Sequence, residues 1–357
     1  MATLSLRDRD GILTREGLIF RVFGYSHPPN AYLCDAEYAS AKIFQSVDPR
    51  APREGKAQLY YKFYNDEGMK LVAKKYPQYL VFHEMLGLKL VGVNKNDIQE
   101  ARKPEERLAA LLEAGPTDEL LRAMQRVLNV TLENSGLKTR NFGVFGSMLH
   151  NFHHPKYSDI DFVIYGKAEN AKMRQTLEEL YGRGDSGLSN EFESDDAMKG
   201  KRWLFKNFDV KDFVWHQRRK MIYGLYDDRA DSSRVIKVEF EPVKAWSEIK
   251  SEYDSQARIV QKGWAKIKAH VTADDEAPFI PSVYGIQPLE VLSGPKEAAD
   301  AVRVFSYMEE FRQQAQRDET VLVEGNIEEV QSAKGSFHQI TLTYCPRYYE
   351  QVLKVLH

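Results

Sequence analysis

The chain has 357 residues, 43% hydrophobic and 29% charged, a composition typical of a globular protein with more than one core. Its 52 acidic and 50 basic residues exclude a polycation, so any nucleic-acid contact would have to be local. Two cysteines, Cys34 and Cys345, exclude a disulfide framework and favour a reducing cytoplasm, and without a long apolar run we expect no membrane segment.

Residues 1–102 are predicted to form a β-rich N-terminal domain. Apolar and aromatic runs at 18–23, 59–64 and 79–82 alternate with polar stretches, and a His-Pro-Pro-Asn turn lies at 27–30. Aromatic residues in strands usually belong to a core, so we prefer that interpretation to a surface that stacks nucleic-acid bases.

Residues 103–261 are predicted as a mixed α+β core. One helix begins at Lys103-Pro104, and a second covers 118–134 before a stop at Ser135-Gly136. A third helix is expected over 169–181, a loop over 183–196, a strand over 234–243 and a fourth helix over 245–261 with Gly263 as its stop.

The stretch 141–166 carries the strongest chemical signal. An apolar strand ends at Gly146-Ser147, and after eleven intervening residues a second strand carries Asp159 and Asp161. Side chains two apart on a strand point the same way, so these two carboxylates share one face. Glycine lets the backbone approach a phosphate, and Ser147 adds a hydroxyl at the predicted start of a helix. The pattern predicts a metal site beside a phosphate cradle.

Polar residues between the two strands are further candidates for metal or nucleotide binding. His150, His153 and His154 lack the spacing of a helical metal site, and we expect them in a loop over a nucleotide. Lys156 and Tyr157, next to Ser158, could assist there, and Ser158 itself is predicted to bind the nucleotide. Ordinary surface residues before a strand are the alternative.

A basic patch lies further along the chain. Arg218, Arg219 and Lys220 end the run Trp-His-Gln-Arg-Arg-Lys and are predicted to bind a triphosphate or a nucleic-acid backbone. A solvated helix face is the alternative explanation.

The strand predicted at 234–243 has one acidic face. Glu239 and Glu241 lie on one face of this strand, together with Lys237.

Residues 262–357 are predicted as a smaller C-terminal β domain. Strand-like runs begin near 265, 279, 320 and 337, the segment 301–316 is ambiguous, and 346–356 is expected to be a short helix. A small β-barrel is the preferred architecture, and the oligonucleotide-binding type is one form it could take.

The Gly146-Ser147 turn, the Asp159-Ile160-Asp161 triplet and the later acidic strand resemble the core of the DNA polymerase beta-like nucleotidyltransferase superfamily, over about residues 118–245. The whole resembles predicted archaeal nucleotidyltransferases without an assigned substrate. The resemblance implies a palm-like mixed sheet flanked by two smaller β-rich domains, and transfer of a nucleoside monophosphate from an NTP with release of pyrophosphate.

The resemblance also implies roles for residues. The superfamily places a third carboxylate on a later strand, and archaeal CCA-adding enzymes have an aspartate shortly before a proline there. Glu239, three residues before Pro242, is similar and is chosen for this role, with Glu241 in reserve. Asp159, Asp161 and Glu239 would be catalytic and would bind Mg²⁺ or Mn²⁺, and Gly146-Ser147 would hold the β and γ phosphates. The acceptor stays open between an RNA end, a small molecule and a protein hydroxyl. Glutamate where the family has aspartate leaves a second hypothesis, a non-catalytic nucleic-acid or nucleotide-binding module, and a third, a structural module of a larger assembly.

Overall fold

A computed structural model describes residues 5–55, 58–229 and 231–356. It confirms the predicted α+β class, with three β-sheets and helices of mixed length in the described residues. None of the helices in these ranges is long and apolar enough to cross a membrane.

The chain divides into two compact units, each built from separate segments. The first comprises Met1–Phe82, Lys89–Asn190 and Met221–Ser251, and the second His83–Leu88, Glu191–Lys220 and Glu252–His357. The division at 1–102, 103–261 and 262–357 stays a prediction, and the two units do not follow its bounds.

The N-terminal sheet has eight strands in the order β4-β5-β3-β2-β1-β8, with β7 also pairing β3 and with β6 pairing β7. Alternating apolar side chains such as Ile12, Phe20 and Val22 fill its core, as the aromatic and β-branched runs predicted. Helix α1 (Glu67–Lys75) packs on β3. The strands are β1 (Gly11–Leu13), β2 (Leu18–Val22), β3 (Ala31–Ser40), β4 (Pro52–Glu54), β5 (Leu59–Lys62), β6 (Leu80–His83), β7 (Leu88–Asn94) and β8 (Glu100–Arg102).

The second sheet, also in the first unit, has the order β11-β12-β13-β10-β9, with β10 and β13 parallel and its other pairs antiparallel. Its apolar face packs against helices α2, α3 and α5. The elements are α2 (Pro104–Ala114), α3 (Glu119–Ser135), β9 (Phe142–Val144), α4 (Gly146–Leu149), β10 (Ile160–Tyr165), α5 (Lys167–Arg183), β11 (Leu188–Asn190), β12 (Tyr223–Asp227) and β13 (Val235–Val243).

Local signals explain where the long helices begin and end. Asp118 caps α3, because its Oδ1 accepts a hydrogen bond from the Leu121 N–H at 2.9 Å. Gly136 ends α3 in the left-handed conformation at φ 62°, and its N–H donates to the Leu132 carbonyl. The predicted bounds of this helix are therefore confirmed within a residue.

In the second unit, five strands form a closed ring. The order is β14-β15-β16-β18-β17, β17 pairs back onto β14, and β16 and β18 run parallel. This closed order is that of a small β-barrel. The unit contains α6 (Val210–Arg219), β14 (Arg258–Glu276), β15 (Ser282–Ser293), β16 (Ala301–Ser306), β17 (Thr320–Ser332), β18 (Gly335–Leu342) and β19 (Val352–Val355).

Two predicted helices and one predicted loop are wrong. Within 245–261 only Trp246–Glu248 forms a 3₁₀ turn and β14 begins at Arg258, while 346–356 contains a 3₁₀ turn followed by β19. Pairing with the distant strand β17 outweighs the local helical spacing in both places. Gly263 lies beside a register shift of β14 and not at a helix end. The loop at 183–196 contains β11.

Candidate active site

The centre of the candidate site is the parallel pair β10 and β13. Asp161 on β10 stands in register with Glu239 on β13, as Val163 does with Glu241. Partners in register on neighbouring strands point to the same face, so the two carboxylates meet there. Asp159, directly before β10, is exposed and close enough for its charge to act on Asp161. The structure thus brings the three predicted carboxylates together.

The Gly146 turn packs closely against Asp161. Gly146 has φ 60°, and a Cβ built on it would lie well inside 3.0 Å of Asp161 Oδ2. The N–H of Phe145 donates to the Asp161 carbonyl at 3.0 Å. Only glycine satisfies both the left-handed backbone and this close approach. The predicted helix after the turn, α4, has only four residues, so its dipole contributes less than we expected.

Hydroxyl groups line the same turn. Ser147 Oγ donates to Ser158 Oγ at 3.2 Å, and the N–H of His154 donates to Ser158 Oγ at 2.9 Å. Arg234 holds the end of the loop, because its guanidinium donates to the carbonyls of Pro155 at 2.7 Å and Ser158 at 2.9 Å. Ser147 and Ser158 therefore lie side by side. The role of Arg234 depends on a contact across the fold, and no local pattern indicated it.

The electrostatics of Asp161 are unusual. Burial first, and then the negative charges of Glu239 and Asp159, raise the pKa of the Asp161 carboxyl well above its usual range. Lys62 and Lys237 act in the opposite direction on the same carboxyl. Lys237 also forms a 2.8 Å ion pair with Glu239. Lys62 comes from the N-terminal sheet, and nothing in its sequence surroundings indicated a place beside the aspartates.

Glu241, the reserve candidate, has a different environment. It is 3% exposed, and Arg9 Nη2 lies 2.8 Å from its Oε2 with both side chains buried. A carboxylate bound to a buried guanidinium is less available to a metal ion. This contact favours Glu239 as the third carboxylate.

Each loop histidine has a protein partner. His150 is buried beside Arg102, His153 Nε2 lies 2.9 Å from Asp118 Oδ2, and His154 Nδ1 accepts the N–H of Lys156. The contacts of His150 and His153 hold the loop against β8 and the start of α3. Their predicted place over a nucleotide stays a prediction.

The three basic residues of the patch lie in the second unit. Lys220 is fully buried and donates to the Glu310 carbonyl at 2.6 Å, Arg219 pairs with Glu319 at 2.5 Å, and Arg218 pairs with Glu193 at 2.6 Å. Their predicted binding of a triphosphate stays a prediction, and the structure gives each a partner within its own unit.

The residues present fit a hard divalent cation. Asp159, Asp161 and Glu239 offer oxygen donors alone, the type Mg²⁺ prefers, and a cation would offset the mutual repulsion that raises the pKa of Asp161. Among the described residues, no three His, Cys, Asp or Glu side chains are arranged to hold a metal by themselves. Oxygens of substrate phosphates and water would have to complete the coordination shell, as is usual for magnesium.

The fold and the site agree with a comparison against protein families. The model described as nucleotidyltransferase domain matches residues 124–256, a range that contains the Gly146 turn and all three carboxylates. Residues 124–256 are therefore a nucleotidyltransferase domain of the DNA polymerase beta-like superfamily.

The likeness to one relative extends over both flanking regions. An uncharacterized protein of Methanocaldococcus jannaschii, MJ1086, is 28% identical over 337 residues, which cover 93% of each chain. No solved structure matches the chain.

Proposed function

We propose that the protein transfers a nucleoside monophosphate from an NTP to an acceptor hydroxyl, with Mg²⁺ or Mn²⁺ bound at Asp159, Asp161 and Glu239. The observation that carries the proposal is the register of Asp161 with Glu239 beside the close-packed Gly146 turn. The nucleotidyltransferase domain at 124–256 supports the same general reaction.

In the proposed reaction, the acceptor oxygen bonds to the α phosphorus and the bond to the β-bridging oxygen breaks, so that pyrophosphate leaves. Glu239 orients the acceptor hydroxyl and takes its proton, and the Gly146-Ser147 turn with Ser158 holds the β and γ phosphates. A bound divalent cation would neutralise the charge that develops on the phosphates. Lys62 and Lys237 limit the excess of negative charge before substrate binds.

A second candidate function is a nucleotide-binding module without turnover. The 2.8 Å ion pair between Lys237 and Glu239 favours it, because the ammonium group competes with a metal for the same oxygen atoms. The longer side chain of glutamate also changes where the third carboxylate lies relative to the aspartate of the family.

The test is incubation of the full chain with each labelled NTP, Mg²⁺ or Mn²⁺, and separate RNA, protein and metabolite fractions. We expect label in one fraction, which names the acceptor class, and its loss in Asp159→Asn, Asp161→Asn and Glu239→Gln. Asp185→Asn, in an exposed loop, is the matched control. NTP binding without label in any fraction would favour the binding module.

A further inference from the structure

The first unit contains a cavity that the carboxylate site does not use. Its volume is about 520 Å³, within the range of about 300–1,000 Å³ typical of small-molecule sites. The beginning of α2, strand β8 and residues 149–152 line it, with Tyr60 on one side.

Two guanidinium groups line the cavity. Arg107 Nε donates to the Met148 carbonyl at 3.0 Å and its Nη2 donates to Asn151 Oδ1 at 2.9 Å, so both acceptors are neutral. No carboxylate among the described residues forms an ion pair with Arg107, whereas Arg102 pairs with Glu100 at 2.7 Å. Burial, and then the positive charge of Arg102, lower the pKa of Arg107. A bound anion would offset both effects.

The cavity adjoins the predicted phosphate turn. Phe152, on its wall, donates its N–H to the Ser147 carbonyl at 3.0 Å. Helix α4, which joins the turn to residues 150–152, has four residues and is therefore about 6 Å long. Phe152 also contacts Tyr38, with ring centroids 5.2 Å apart, and Tyr38 is close enough to Asp161 for the two groups to interact electrostatically. A ligand in the cavity would therefore lie beside the turn and near the carboxylates.

The walls suit a small ligand better than a polymer. Phe152 stacks on Tyr60 with ring centroids 4.9 Å apart and on His150 at 5.4 Å, which makes one wall rigid. Glu100 and Glu106 also line the cavity, so its charge is mixed. A nucleic-acid backbone requires a row of cations that contact successive phosphates, and these acidic residues would oppose it.

We propose that this cavity binds the acceptor of the transfer, a small molecule whose phosphate or carboxylate group is received by Arg107 and Arg102. The acceptor role rests on the proposed function, but anion binding at the cavity can be measured without turnover.

The experiment is calorimetric titration of the full chain with inorganic phosphate and, separately, malonate. We expect binding that weakens at least about tenfold in Arg107→Met, because a charge-assisted contact is lost. In Glu106→Gln binding should become a few-fold tighter, since a repelling charge is removed, and misfolding cannot produce a gain in affinity. Arg140→Met, in an exposed turn, should leave it unchanged. The better of the two anions identifies phosphate or carboxylate as the recognised group.

Three results would overturn the inference. The first is an anion affinity that changes in neither Arg107→Met nor Glu106→Gln. The second is binding of a 5′-phosphorylated oligonucleotide together with no binding of either small anion. The third is labelling of a small-molecule acceptor whose KM does not rise in Arg107→Met. Anion binding that depends on Arg107 in a protein without turnover would instead refute the proposed function, and the acceptor role with it.

Discussion

Gly146→Ala tests the central contact of the site. At φ 60°, any residue with a Cβ costs about 1–2 kcal/mol. The new Cβ would also lie too close to Asp161 Oδ2, so the carboxylate must move. Overpacking of this kind costs about 1–3 kcal/mol, which gives a total loss of about 2–5 kcal/mol in the free energy of unfolding.

Gly136→Ala is the matched control. Gly136 has φ 62°, and a Cβ there would meet nothing closer than Lys172 Nζ at 3.5 Å. In urea unfolding, Gly136→Ala should therefore lower the free energy of unfolding by about 1–2 kcal/mol, which is the backbone cost alone. In an Asp161→Ala background the extra cost of Gly146→Ala should disappear, because the carboxylate that it displaces is absent.

The two glycine variants should also differ in nucleotide binding. Gly146→Ala displaces a proposed metal ligand, so magnesium-dependent NTP binding should be lost, whereas Gly136→Ala should retain it. Equal stability losses in the two variants, or unchanged NTP binding in Gly146→Ala, would refute the contact as the reason for this glycine.

Asp161→Asn should raise the free energy of unfolding at pH 7, because burial and the neighbouring carboxylates disfavour the charged form of Asp161. The same variant should abolish nucleotide transfer. A variant that is less stable in thermal melts would contradict the first expectation. Burial raises the pKa of Asp10 to about 8. The folded state therefore keeps a proton that the unfolded chain releases near pH 4. Because of this difference, the free energy of unfolding should fall as pH rises from about 4 to about 8. Asp10→Asn should flatten that slope in urea titrations at several pH values, and an unchanged slope would exclude Asp10 as its source. Arg9→Met should cost about 3–5 kcal/mol, because it leaves the buried Glu241 without its guanidinium partner, and restored stability in Arg9→Met with Glu241→Gln would confirm the cause.

Local patterns were sufficient for the elements that carry the site. The alternation around Asp161 and Glu239 predicted β10 and β13, and a cap at Asp118 with a stop at Gly136 predicted α3. The register between the two strands depends on packing across the sheet, so the sequence could suggest a choice between Glu239 and Glu241 but not the contact of Arg9 with the latter.

The N-terminal charges show where local reasoning fails. Residues 7–10 are Arg-Asp-Arg-Asp, a run that normally indicates exposed surface, yet each side chain is at most 4% exposed. Arg7 donates to Glu105 and to the Lys244 carbonyl, and Arg9 pairs with Glu241. All these partners are about a hundred or more residues away, so only the folded chain explains the burial.

The interleaved segments of the two units restrict how the protein can be cut. The chain passes between units after residues 82, 88, 190, 220 and 251, so neither unit is one continuous stretch. A fragment ending at 251 would keep the aromatic residues Trp203, Phe205 and Phe208, which pack in the barrel core, without the strands that cover them. Gene truncation would thus expose apolar surface, and an inserted or exchanged module would have to carry residues 191–220 together with the barrel.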